Sequence, residues 1–144
     1  MGIRVAKEND EYRQSGAIAD KYSDLNKSFL PNPNTGQITR KVNVESVKQA
    51  LRNLLLTNKY ERLRNPDFGT RLNRFLFEQF DSHIEEEIKE EIYNAIETHE
   101  PRVRVIDCAV ESQPDNNAIV INIEFAIVTS NQAANLELTL YRVR

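Results

Sequence analysis

The feature that most constrains the fold is a regularly spaced set of apolar residues near the C-terminus. Every second position of residues 119–127 is large and apolar, namely Ile119, Ile121, Ile123, Phe125 and Ile127. Asn122 and Glu124 stand between them. Because successive side chains of a β-strand point to opposite faces, this pattern predicts a strand with one buried face. Such a strand needs neighbouring strands and a covering layer, which the rest of the chain has to supply.

The flanking segments have the same two-residue period, with turn residues between them. A preceding strand is predicted over residues 103–113, and Pro114-Asp115-Asn116-Asn117 is typical of a hairpin connection. Its inward-facing residues are expected to be Ile106, Cys108 and Val110. A second turn is predicted over residues 129–134, before a last strand. The inward-facing residues of that strand are expected to be Leu136, Leu138 and Leu140. The three strands form a predicted antiparallel meander.

Helical patterns precede the sheet. Residues 44–57 have apolar residues at three- and four-residue spacing, as in a helix with one buried side. Thr70 is expected to cap a short helix to about residue 79. A third helix is predicted to begin at Ser82, because Glu85 follows at the spacing of a capping box. Pro101 should end it near Thr98 or His99. Its buried side is expected to contain Ile84, Ile88, Ile92, Ala95 and Ile96.

The predicted fold is therefore α+β, with two to three helices packed on a three-stranded antiparallel meander. Residues 42–144 form its single domain. Residues 1–41 are rich in Asn, Asp, Ser and Lys, and residues 30–36 have turn chemistry throughout. They are predicted to be an extended N-terminal arm, ordered by contact with other surfaces. A frayed tail is the alternative that the sequence leaves open.

Composition narrows the classes of function. No apolar run approaches the roughly 18–20 residues of a membrane helix, and no secretory signal is visible. A single cysteine, Cys108, forms no internal disulfide, which favours folding in a reducing cytoplasm. Nine basic residues face four acidic ones between Arg40 and Phe80, whereas Asp81 to Glu100 contains eight acidic residues and one lysine. This polarity indicates oriented docking between proteins.

Catalytic, metal and nucleic-acid sites have little support. The pairs Glu86 with Glu90, and Glu87 with Glu91, have a spacing that glycoside hydrolysis allows, but they belong to a solvated helix face and the chain has no Trp. His83 and His99 lie roughly 24 Å apart along one helix, too far to share a metal ion. A pI near 5.5 argues against nucleic acid. No cofactor, membrane or small-molecule substrate is predicted.

Three short segments together carry a resemblance to a known family. They are Pro66-Asp67-Phe68-Gly69, Leu76-Phe77-Glu78 and Glu100-Pro101-Arg102. Their order and spacing resemble the baseplate wedge, or sheath-initiator, family of contractile phage tails, which is also called lysozyme-like and includes a type VI secretion baseplate component. The resemblance implies a structural protein of the virion tail baseplate, assembled in the host cytoplasm. Its partners would be wedge core proteins, the tail sheath protein and the hub proteins near the tail tube.

Two docking surfaces follow from that resemblance. Glu100, Pro101 and Arg102 are expected to present both charges outward to the wedge core, so that Arg102→Glu blocks docking and leaves the isolated fold intact. The last strand is expected to offer a free edge to sheath strands. Its predicted docking residues are Leu136, Leu138, Leu140, Tyr141 and Arg142. The alternatives are a small peptidoglycan hydrolase, which a Glu86 or Glu90 substitution would inactivate, or the equivalent secretion-system component.

Overall fold

The computed structural model describes residues 21–142, which form two units that meet between Asn43 and Val44. In the first unit, strand β1 (Ser23–Leu25) pairs antiparallel with strand β2 (Arg40–Val42). A bridge between Pro31 and Ile38 closes the connection between these strands. The first twenty residues of the predicted arm lie outside the described residues, and the division between arm and domain stays a prediction.

Three helices precede the main sheet. They are α1 (Asn43–Leu56), α2 (Leu72–Phe75) and α3 (Ser82–His99). Most of the predicted apolar residues are buried: Val47, Leu51, Leu54 and Leu55 in α1, and Ile88, Ile92, Ala95 and Ile96 in α3. Ile84, also expected on the buried side of α3, is only half-buried. α3 ends at His99, one residue before the Glu100-Pro101 bond, as the proline requires.

Both predicted helix caps are wrong in detail. The hydroxyl of Thr70 does not cap α2; it donates to the carbonyl of Leu55 at 2.8 Å, and the residue is buried. α2 is a single turn that ends at Phe75, well before residue 79. At the start of α3, Asp81 is the N-cap in place of Ser82, and its carboxylate accepts from the Ile84 N–H at 2.9 Å. An acceptor that is also anionic stabilises this position through the helix dipole.

The meander forms as predicted. Strands β3 (Val103–Gln113), β4 (Ala118–Ile127) and β5 (Gln132–Tyr141) pair antiparallel in the order β3-β4-β5. A 3-10 turn, followed by Asn117 in the left-handed region, joins β3 to β4. Ile121, Ile123 and Phe125 are fully buried, which confirms the inward face of β4. β5 already begins at Gln132, so the second turn is shorter than the predicted 129–134.

A β-bulge makes one predicted inward residue wrong. The pairing register of β3 with β4 shifts between Val105 and Asp107, so Ile106 is an extra residue without a paired partner. Its side chain is 53% exposed, whereas Cys108 and Val110 are buried as predicted. Before the bulge Val103 is buried and Val105 half-buried, so the inward positions there are one residue out of phase with those after it.

The packing of α3 on β3 fixes the junction between them. Glu100 follows the last helical residue and Val103 is the first residue of the strand, so Pro101 and Arg102 form the corner that joins the two layers. Within residues 21–142, no helix combines the length and the apolar character needed to cross a membrane.

Candidate docking surfaces

The two charged residues of the corner bind each other. The Arg102 Nε donates to Oε1 of Glu100 at 2.6 Å, and its Nη2 donates to Oε2 at 2.7 Å. Glu100 is only 7% exposed. This is a bidentate, charge-assisted pair. The expectation that both charges point outward is therefore wrong for Glu100, because the turn at Pro101 brings the two side chains together.

Backbone hydrogen bonds hold the corner in one geometry. The Glu100 N–H donates to the Ile96 carbonyl at 2.8 Å, and the Val103 N–H donates to the Glu100 carbonyl at 3.1 Å. The Val128 N–H donates to the Arg102 carbonyl at 2.9 Å, which ties the corner to the turn between β4 and β5. A surface fixed in this way loses little conformational entropy when a partner binds.

An apolar hollow lies beside Pro101, which is itself exposed. It has a volume of about 360 Å³. Its walls include Tyr93, Glu97, Arg104, Val105 and Val128. Val128 is 56% exposed. No sequence pattern indicated this hollow, because its residues come from α3, β3 and the turn after β4.

The predicted docking residues of β5 divide into two groups. Leu136, Leu138 and Leu140 are buried, so their side chains attach the strand to the core and are not available to a partner. Tyr141 is 64% exposed. The guanidinium of Arg142 lies 5.1 Å from the ring centroid of Phe77, a cation–π contact at the end of the strand.

Within residues 21–142 no strand pairs with the outer side of β5, so the backbone of β5 supplies the free edge. The Arg142 N–H donates to the Asn117 carbonyl at 2.9 Å, so the peptide groups of even-numbered residues point towards β4. The odd-numbered residues then direct both N–H and carbonyl groups to the open side: Ala133, Asn135, Glu137, Thr139 and Tyr141. The β4–β5 register continues without a shift for all ten residues. At the opposite edge, β3 carries the bulge at Ile106, which disfavours strand addition there.

The acidic face of α3 is polar and largely paired. The Glu91 carboxylate lies 3.1 Å from the ammonium of Lys59 and accepts from the Arg71 N–H at the same distance. Glu87 contacts the imidazole of His83 at 3.2 Å, whereas Glu86 and Glu90 are exposed. A glycosidase acid needs an apolar pocket, and this face offers the carboxylates cations and water.

Cys108 is the only thiol of the chain, and burial raises its pKa to about 11. At pH 8 only roughly 0.1% of a thiol with that pKa is the reactive thiolate. We therefore expect a disulfide reagent to label Cys108 at least tenfold more slowly in the native protein than in the urea-unfolded protein. The absorbance of the released chromophore measures both labelling rates. Equal rates in the two states would contradict the burial of Cys108.

Comparison with known proteins agrees with this architecture. The family model described as baseplate wedge protein gp25 matches residues 41–132. The baseplate wedge protein gp25 of Enterobacteria phage T4 is 25% identical over 107 residues, which cover 74% of this chain and 80% of that protein.

Solved structures share the fold. A candidate tail lysozyme from Geobacter sulfurreducens superposes with a TM-score of 0.63 and 24% identity, over 69% of this chain and 91% of its own. A chain of the anti-feeding prophage baseplate gives a TM-score of 0.59 and 21% identity, over 85% of this chain and 88% of that one. A chain of the contracted pyocin R2 baseplate gives a TM-score of 0.52 and 14% identity, over 85% of this chain and 100% of that one.

Proposed function

The chain belongs to the baseplate wedge protein gp25 family, and we propose that it docks into the wedge of a contractile-tail baseplate and templates the first ring of tail sheath. It is a structural component of the baseplate of a phage tail or phage-like particle. The proposal assigns it no reaction of its own. Assembly in the host cytoplasm is part of the same proposal.

The observation that carries the sheath role is the open edge of β5. Five alternate residues of a regular strand offer a row of N–H and carbonyl groups to an incoming strand. The buried leucines at the even-numbered positions of β5 fix the strand to the core, so the edge is rigid before it binds. A strand from a sheath subunit would extend the sheet by one member, and further sheath subunits would follow on it.

The wedge role belongs to the corner. Glu100 and Arg102 keep the turn in its geometry through their mutual hydrogen bonds, and Pro101 with the adjoining hollow forms the contact surface. An apolar side chain of a wedge core protein fits a hollow of about 360 Å³. Glu97 and Arg104 at its walls add charges of both signs, which restrict the orientation of the partner. The hub proteins near the tail tube are further proposed neighbours.

The edge is tested with Thr139→Pro. Proline removes one outward N–H and places its ring on the open side, where no ladder bond to β4 is lost. We expect the purified variant to keep its thermal unfolding midpoint within a few degrees, because the core is unchanged. In particles assembled with it, electron microscopy should find baseplates that contain the chain but at least tenfold fewer extended sheaths.

Thr139→Val is the matched control, because it keeps the N–H and the branched shape of the side chain. It should assemble sheath normally. Sheaths of normal number and length on Thr139→Pro baseplates would refute templating by this edge.

A further inference from the structure

The loop of residues 57–70 between α1 and α2 is held more firmly than its length suggests. The Lys59 N–H donates to the Thr70 carbonyl at 3.1 Å, and the Thr70 N–H donates to the Thr57 carbonyl at 2.9 Å. Near the tip, the Tyr60 N–H donates to the Pro66 carbonyl at 2.8 Å. These bonds close the base of the loop and fix the segment between Tyr60 and Pro66.

Side chains fix the loop to the end of α3. The Phe68 ring contacts both the guanidinium of Arg62, 3.9 Å from the ring centroid, and the tilted ring of His99, with 5.2 Å between the two centroids. Nε2 of His99 lies 3.1 Å from the Asp67 carbonyl. The loop therefore keeps its shape without a partner.

This loop displays two large apolar side chains among charged ones. Leu63 at its tip is 101% exposed, and Tyr60 is 74% exposed. Tyr60 has a φ of 69°, in the left-handed region that a bulky side chain rarely adopts. Strain of this kind persists where the surrounding structure over-determines it, often at functional sites. A fully exposed leucine on a strained, fixed loop brings no benefit to the isolated chain.

The charges around the tip define what would accept it. Arg62 and Arg64 flank Leu63 in the sequence, and the ion pairs of the described residues include neither arginine. An apolar pocket whose rim carries carboxylates would bury the leucine and pair both guanidinium groups. The residue between the two arginines is an aliphatic leucine, which cannot stack on bases, and the chain as a whole is acidic, so a protein surface fits better than a nucleic acid.

We propose that loop 57–70 is a third docking surface, and that Leu63 enters an apolar, carboxylate-rimmed pocket on another protein subunit of the particle. The inference rests on family membership and not on sheath templating. Its failure is distinguishable, because loss of this contact should remove the chain from the baseplate, whereas loss of the β5 edge should leave the chain in place without sheath.

The first test measures incorporation. Particles are assembled with Leu63→Asp, and the chain is quantified per baseplate after purification. A carboxylate facing an acidic rim should reduce incorporation at least tenfold, with an unchanged thermal unfolding midpoint. Leu63→Met should incorporate normally. Leu56→Asp is the matched control: Leu56 is also exposed, at 45%, but lies at the end of α1 outside the loop. Normal incorporation of Leu63→Asp would overturn the proposal.

The second test identifies the chemistry of the partner. p-Benzoylphenylalanine in place of Leu63 is irradiated in assembled particles, and mass spectrometry reads the attached peptide. We expect one protein subunit, with apolar and acidic residues at the attachment point. Attachment to nucleic acid or to a second copy of this chain would overturn the proposal. The same conclusion would follow if the reagent attaches to nothing at position 63 but does react when it replaces Tyr141.

Discussion

Arg102→Glu is expected to lower the free energy of unfolding by about 3–5 kcal/mol, because it leaves the Glu100 carboxylate buried and opposite a second carboxylate. The wild-type pair satisfies both oxygens of Glu100 with two short hydrogen bonds. The variant replaces that pair with repulsion at a residue that is only 7% exposed. Urea unfolding of the purified protein, followed by circular dichroism, measures the change.

Conservative variants separate the geometry of the pair from its charge. Arg102→Lys keeps the positive charge but loses the two-pronged donor, so we expect an intermediate loss of about 1–2 kcal/mol. Glu100→Gln removes the buried charge and should cost less than Arg102→Glu. If Arg102→Glu unfolds at the wild-type urea concentration, the buried pair does not stabilise the corner.

The expected loss of stability in Arg102→Glu changes how docking at the corner is tested. The sequence suggested that charge reversal at Arg102 would leave the isolated fold intact, and the contact between Arg102 and Glu100 argues that it will not. If the Arg102→Glu variant is absent from assembled particles, a damaged fold would explain the absence as well as a lost contact would. Exposed residues of the hollow, such as Val128, are better positions from which to probe the wedge partner.

The fold was predictable where the signal was periodic. The two-residue period of β4 and the apolar stripe of α3 identified the buried faces, since both patterns follow from backbone geometry alone. The period also extended through Ile106, where it was misleading. A bulge adds one residue and reverses the faces from that point, and an apolar residue at the bulge looks the same in sequence as an inward one.

The docking surfaces were predictable in position but not in detail. Pro101 indicated where helix and strand meet, yet the pairing of Glu100 with Arg102 depends on the turn between them. The hollow beside Pro101 combines residues that are distant in sequence. For β5, the leucines that the pattern emphasised are buried, while the edge is made of backbone groups, which every residue carries and no residue pattern distinguishes.

Gly69 is the position of loop 57–70 where a methyl group should be least tolerated. Its φ is 113°, and an added Cβ would lie 2.4 Å from the carbonyl oxygen of Thr57. That oxygen accepts the Thr70 N–H bond, which closes the base of the loop. We expect Gly69→Ala to lower the free energy of unfolding by about 3 kcal/mol, through backbone strain and displacement of this bond. Urea unfolding measures the loss, and hydrogen exchange at the Thr70 amide locates it.

Gly36→Ala is the comparison without a steric clash, because Gly36 has a φ of 67°, in the left-handed region, and its Cβ would meet nothing within 4 Å. It should cost only about 1–2 kcal/mol, the penalty of the left-handed backbone by itself. The excess at Gly69 then combines two terms: a φ of 113°, which lies beyond the left-handed region and is more strained for any other residue, and the contact with Thr57 at the end of α1. Equal losses for the two variants, or unchanged exchange at Thr70, would mean that the base of the loop yields to a methyl group. A yielding base would also weaken the argument that the loop holds Leu63 in place before a partner binds.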